Sequence, residues 1–233
     1  MSEAPEAVPS RLESATRRPL VLLAAAFLAT LLLYGSSLPF GFTFDDADMV
    51  ASNPLLTEPD LGRIFRSPIL PAQQGVPNDL YRPVGVASLA FDHLVGGGST
   101  WAYRLSNLLL HALAGVLVLA VARSWGASSS TALLAGVIFL LHPVHSEAVL
   151  QIKGRFELLA AALGLSAVLV SERGRRVALR AGLALVLWTG AMLAKESAFG
   201  LVLLAPVLVL ASGWAVRATG VRGEPGPLAR RSV

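Results

Sequence analysis

Six apolar runs separated by polar breaks organise this chain, at residues 20–38, 104–122, 131–149, 156–170, 177–194 and 197–216. At a rise of about 1.5 Å per residue, about 20 apolar residues cross the hydrocarbon core of a bilayer. The pattern therefore predicts an all-α integral membrane protein with about six transmembrane helices. Two runs fall short. The apolar part of the third ends at Leu141, and Pro143 interrupts the rest of that run. The fourth has only about thirteen clean residues before Ser171, fewer than a span needs. Short helices of this kind leave a polar connection that only a protein-lined cavity can accommodate.

The breaks divide the chain into a polar tail (1–19), a membrane domain (20–216) and a basic tail with Gly and Pro (217–233). The first tail is expected on the cytoplasmic side, and both tails are expected to be disordered. A basic flank before the first run also fits a signal peptide. The run is long, however, and residues 34–37 offer no clear small-x-small cleavage site, so an uncleaved span is expected. The loop at 39–103 is long. Within it, 60–66 reads as a short surface helix. Residues 84–95 are apolar but too short to span, which suits a helix lying in the interface before Gly96, Gly97 and Gly98. There is no repeat at a period of 20–50 residues.

Composition agrees with the pattern. Hydrophobic residues make up 54% of the 233, and charged residues only 15%, well below the quarter or so usual in a soluble domain. Mean hydropathy is +0.63. The net charge of +4 would suggest nucleic acid in a soluble protein, but here basic residues have a simpler use in orienting the spans. With the first tail inside, 12 of the 19 Lys and Arg fall inside and 7 outside, whereas 10 of the 15 acids fall outside. Both lysines, Lys153 and Lys195, also fall outside. The inner face is mainly arginine and sets topology, while the outer face carries the chemistry. No cysteine is present, so disulfides and thiolate sites are excluded.

The first cluster is Asp45, Asp46 and Asp48, just after Phe42 and Phe44. Such acids serve turns and solubility in any loop. Beside interfacial aromatics they also suit a general base, or a cation on a phosphate. Mg²⁺ or Mn²⁺ is the cofactor this spacing suits, with Asp46 and Asp48 as its candidate ligands. The second cluster is His142, His145 and Glu147. Its spacing is not the one-turn metal pair, and Pro143 breaks the helix that would align the histidines. The set can meet headgroups, or donate to a phosphate or sugar.

Lys153, Arg155 and Glu157 come next. Gly154 permits close backbone approach between the two cations, an arrangement that can hold a phosphate. Snorkelling flank residues are the plainer alternative. Lys195 and Glu196 split the last two runs, where charge near the membrane tends to face the protein interior. Arg82 stands between Tyr81 and a rigid Pro83. His111 lies within the second span, where a hydrogen-bonded core histidine is expected rather than a catalytic one.

Taken together, these segments resemble one family. Phe42-Thr-Phe44-Asp45-Asp46, Asn53-Pro54, Tyr81-Arg82-Pro83, Asn107 through His111, His142-Pro-Val-His145-Ser-Glu147, Gly154-Arg155-Phe-Glu157 and Ala194-Lys195-Glu196 occur in that order. They look like the amino-terminal membrane region of the transmembrane and TPR-repeat O-mannosyltransferases, in the GT-C class of polyprenyl-phosphate-sugar-dependent glycosyltransferases. The resemblance covers about residues 20–215. It implies transfer of a sugar, mannose by family, from a lipid-linked donor to a hydroxyl on the extracytoplasmic face, with protein Ser/Thr as the expected acceptor. By that resemblance Asp45 is the general base and Asp46 supports it. Arg155 and Lys195 hold the lipid phosphate, and His145 and Glu147 line the same pocket. Arg82, His142, Lys153, Glu157 and Glu196 complete the expected substrate-binding set.

Members of that family carry about twice as many spans, then TPR repeats, so the chain reads as a truncated amino-terminal part. A second membrane fragment or a TPR-containing partner is then expected alongside membrane lipids, and nucleic acid is not. The resemblance and composition point to a bacterial-type inner membrane. Two other functions fit parts of the pattern. One is a non-catalytic remnant or scaffold subunit of a membrane glycosyltransferase. The other is a small transporter, for which His111 is almost the only ionisable residue at the required depth.

Overall fold

A computed structural model describes residues 19–69, 80–171 and 177–200. Helices and turns account for its regular structure, and the described residues contain no strand. Among the described residues, four helical stretches are long and apolar enough to cross a membrane: Pro19–Ser37, Thr100–Ser124, Ile152–Ser171 and Val177–Ala194. A fifth crossing exists if Ser129–Leu141 and Pro143–Leu150, bent by 47°, form one broken span. Residues 201–216 of the sixth expected run lie outside the described residues, as do 1–18 and 217–233 of the two tails.

In chain order the helices are α1 (Pro19–Tyr34), α2 (Pro54–Thr57), α3 (Leu61–Ile64), α4 (Pro83–Gly96), α5 (Thr100–Ser124), α6 (Ser129–Leu141), α7 (Ser146–Leu150), α8 (Arg155–Ser171) and α9 (Val177–Ala194). Short 3₁₀ turns at Pro143–His145 and Ile152–Gly154 link α6, α7 and α8. The helix α5 is the spine, packed against α1, α4, α6 and α8, while α9 packs on α8.

The inner face of α5 is polar for a physical reason. Arg104, Asn107 and His111 share one side of the helix and are all buried. Each satisfies carbonyls that helix breaks have freed. The Arg104 guanidinium donates to Phe40 C=O at 3.3 Å, to Gly41 C=O at 2.6 Å and to Leu150 C=O. Asn107 donates to Gln151 C=O at 2.9 Å. His111 Nε2 lies 3.2 Å from Leu140 C=O, near the end of α6 just before Pro143. A broken span is tolerated near a bilayer only when neighbouring side chains satisfy the backbone in this way. His111 is thus the core histidine the sequence suggested.

The first loop is a folded cap. Val50, Leu55, Leu56, Ile64 and Ile69 bury against Val86, Leu89 and Ala90 of α4, with Tyr103, Ile152 and Phe156 beneath. Asn53 fastens it from inside. Its side chain caps α2 by accepting from Leu55 N–H at 2.9 Å, and donates to Met49 and Ile69 C=O at 3.0 Å each. The expected surface helix shortens to α3, which Asp60 caps at 2.8 Å. The helix α4 matches the expected interfacial segment. It buries Val86, Leu89 and Ala90 and exposes Phe91, Leu94 and Val95.

Candidate functional site

The site begins at a strained turn. Phe44 adopts φ of 48°, the left-handed region that a bulky residue enters at a cost of about 1–3 kcal/mol. The turn sends the next two carboxylates in opposite directions. Asp46 is fully buried. Its Oδ1 accepts Lys153 N–H at 2.9 Å. Its Oδ2 accepts Ile152 N–H at 3.1 Å and the Thr43 hydroxyl and N–H at 3.2 and 3.4 Å. Those donors occupy the carboxylate, so Asp46 does not fit the expected metal site with Asp48, which is exposed. Among the described residues no group of three His, Asp or Glu is arranged to hold a metal. Asp46 fixes the backbone at Ile152 and Lys153. Asp45 itself points outward and pairs with the Lys153 ammonium.

The turn at Ile152–Gly154 requires its glycine. A Cβ on Gly154 would sit 2.1 Å from Ala148 O. The close approach lets the turn present Lys153 outward and Arg155 inward. Arg155 is 1% exposed. Its Nε donates to Asn107 Oδ1 at 2.7 Å and its Nη1 to Ser88 Oγ at 2.8 Å. Its Nη2 donates to Asp92 Oδ2 at 2.5 Å and to Tyr103 C=O at 2.7 Å. The sequence suggested Arg155 as a phosphate ligand. Its fork is instead spent on joining α8 to α4 and α5. The buried Asp92 partner had no signal in the loop around it.

Beside this turn lies a cavity of about 470 Å³, which Arg155 does not line. Arg82, His145, Glu147, Lys153, Glu157 and Lys195 do line it, all of them expected site residues. Three ion pairs ring it: Lys153 with Asp45, Lys195 with Glu157, and Arg82 with Glu196. Ser197 Oγ adds a hydrogen bond to Glu157 at 3.1 Å. The Arg82 guanidinium also stands 5.5 Å over the Phe156 ring. The hydrogen bonds from Arg82 hold the Glu196 carboxyl below its ordinary range. His142 is not among the lining residues. Its Nδ1 accepts Val144 N–H at 3.2 Å and so caps the turn after α6. His145 faces the cavity, with its ring 4.2 Å from Phe139.

The cavity has two characters. Its charged lining comes from Arg82, Glu147, Lys153, Glu157 and Lys195, and much of the rest is apolar: Met49, Phe139, Val144, Phe156, Leu158 and Ala161. The sequence carries no mark of these apolar residues, because inside a hydrophobic run nothing distinguishes a side chain facing a cavity from one facing lipid. Gln151 also lines the cavity, and its Oε1 is buried without a hydrogen-bond partner.

Comparison with known proteins gives a consistent family. The chain is 32% identical over 202 residues to protein O-mannosyl-transferase Tmtc1 of Drosophila melanogaster, covering 84% of this chain and 23% of that protein. Drosophila Tmtc2 is 36% identical over 132 residues, covering 55% of this chain and 14% of the relative. Human TMTC3 is 30% identical over 145 residues, covering 61% and 16%. The chain thus spans less than a quarter of the length of these relatives. No family model matches, and no solved structure matches. Matches at this level along most of the chain, in a helical membrane fold, place it in the transmembrane and TPR-repeat O-mannosyltransferase family.

Proposed function

We infer that the cavity binds a polyprenyl-phosphate sugar and that the protein takes part in transferring the sugar, mannose by family, to a protein Ser or Thr hydroxyl. One observation carries this reading. The cavity is lined by cations and by apolar side chains together. Arg82, Lys153 and Lys195 are the cations, and Phe139, Leu158 and Ala161 are among the apolar residues. A phosphate joined to a hydrocarbon chain has the same two parts. Cations favour the leaving phosphate as its charge grows in the transition state.

The acceptor oxygen attacks the anomeric carbon, the carbon–oxygen bond to the phosphate breaks, and the hydroxyl proton passes to Asp45. Asp45 suits that role because it is exposed beside the cavity on a backbone that Asp46 holds fixed. Arg155 contributes from behind, by positioning the start of α8. The reading places the site on the extracytoplasmic face of a bacterial-type inner membrane. In support, the loop 39–69, α4, α7 and the turn at 195–197 meet at one end of the helices.

The test is transfer of radiolabelled mannose from polyprenyl-phosphate mannose to a Ser/Thr peptide by the membrane-embedded protein. Asp45→Asn should lower the rate by about 10²-fold or more, and Glu58→Gln, an exposed acid outside the cavity, should not. Undiminished transfer by Asp45→Asn would remove Asp45 as the base.

A further inference from the structure

We propose that the Asp45–Lys153 ion pair is a latch that the donor's phosphate opens, so that donor binding frees the carboxylate for the acceptor hydroxyl. The latch rests on the lipid-phosphate reading of the cavity and adds an order of events to it.

Three observations lead there. First, the pair joins two different places. Lys153 lines the cavity and Asp45 does not, yet the ammonium contacts Asp45 Oδ2. Second, the two backbones are fixed while the two side chains are not. Asp46, next to Asp45, takes the backbone N–H of Lys153 at 2.9 Å. The Lys153 and Asp45 side chains are 28% and 53% exposed. Lys153 can therefore turn between Asp45 and the cavity without moving the chain. Third, the cavity's other cations are engaged in the same way, Lys195 by Glu157 and Arg82 by Glu196. Any anion entering must compete with carboxylates already present.

Magnitudes allow the exchange. A solvent-exposed ion pair shifts an equilibrium by no more than about five-fold. A phosphate offers the same ammonium several strong acceptor oxygens, and its bond is charge-assisted as the one to Asp45 is, so the two compete on comparable terms. Once Lys153 turns to the phosphate, both Asp45 oxygens are open to a hydroxyl proton. Before that, one of them is occupied. An acceptor arriving first meets an engaged base, so the carboxylate is freed only once the donor is seated.

The latch predicts a competition that equilibrium binding can measure. Farnesyl phosphate is titrated into the purified full chain in detergent, with farnesol as the uncharged control and elution profile as the check on folding. Asp45→Asn removes the competitor and should tighten farnesyl phosphate about two- to five-fold, the range that an exposed pair allows. Lys153→Met should weaken it. The double variant should bind like Lys153→Met alone, because without the ammonium there is no latch to open. Glu58→Gln should match the wild type.

If the wild type binds and Asp45→Asn leaves affinity unchanged or lower, the latch is wrong and the lipid-phosphate reading stands. The latch also falls if Asp45→Asn tightens binding as much in the Lys153→Met background, or if Glu58→Gln tightens it equally, since general electrostatics would then explain the gain. If the wild type shows no saturable binding above farnesol, both the reading and the latch fall.

Discussion

Asp46 holds the backbone N–H of Lys153 at 2.9 Å, across 107 residues of sequence. The contact ties the acidic turn of the first loop to the start of α8. It makes one of two adjacent acids structural and leaves the other, Asp45, exposed in an ion pair. The pair should therefore separate cleanly by mutation. Asp46→Ala strands the N–H groups of Ile152 and Lys153 and should destabilise the protein by about 2–4 kcal/mol. Asp45→Asn loses only an exposed ion pair and should stay within about 1 kcal/mol of the wild type. Unfolding in detergent, monitored by helical circular dichroism, compares the two directly.

Arg155 is the second joint. Its buried pair with Asp92, at 2.5 Å, holds α8 to α4, and its bond to Asn107, at 2.7 Å, holds α8 to α5. Removing one partner of such a pair leaves an uncompensated buried charge and costs about 3–5 kcal/mol. Arg155→Met should therefore unfold far more readily than Lys153→Met, although the two cations are separated only by Gly154. In a double-mutant cycle, Arg155→Met and Asp92→Asn together should cost much less than the sum of the singles. Simple additivity in that cycle would mean that the pair is not coupled.

Gly154 is constrained by Ala148 rather than by its own dihedral angles. A Cβ there would meet the Ala148 carbonyl carbon at 2.6 Å as well as its oxygen. Gly154→Ala should destabilise by about 1–3 kcal/mol, through the shift that overpacking forces on the turn. The same shift should weaken farnesyl phosphate binding, because Lys153 rides on that turn. Full affinity in Gly154→Ala would show that the turn's geometry does not matter to the site.

The Arg82–Glu196 contact gives a pH signature. The bound form holds Glu196 below its ordinary value of 4.5, mainly through the Arg82 hydrogen bonds. A carboxyl depressed in the folded state stabilises that state above its unfolded value, and loses the contribution as pH falls through the folded value. The melting difference between wild type and Glu196→Gln should thus persist at pH 6, begin to shrink below about 4.5, and vanish only once pH has fallen through the lower folded value. Because Glu196 is largely exposed, the difference should be small and should shrink further in high salt. A difference that grows on acidification would contradict the assignment.

Much of this architecture was legible in the sequence because membranes impose long apolar runs. The helix α9 begins and ends where the hydrophobic pattern begins and ends, and the bend after Leu141 is the one Pro143 signals. Arg82, His145, Glu147, Lys153, Glu157 and Lys195 were legible as one neighbourhood, and they gather around one cavity. What could not be read was direction. Lys153 and Arg155 look alike in sequence, yet a turn forced by Gly154 sends one outward and buries the other. Asp45 and Asp46 diverge for a similar reason, the left-handed backbone at Phe44. Nothing in the sequence pairs Asp92, Ser88 or Asn107 with Arg155, because each satisfies it from a distant part of the chain.

The central claim is that the cavity receives a lipid phosphate with its chain along α8. Photocrosslinking tests this most directly, using a polyprenyl phosphate with a diazirine near the phosphate end and mapping adducts by peptide mass. The account predicts adducts around Phe139, Leu158 and Ala161, lost in Ala161→Trp and competed by unlabelled lipid phosphate. A separate small apolar groove, lined by Leu22, Gly115 and Gly136 among others, provides the contrast. Adducts confined to that groove, or unaffected by Ala161→Trp, would contradict the account.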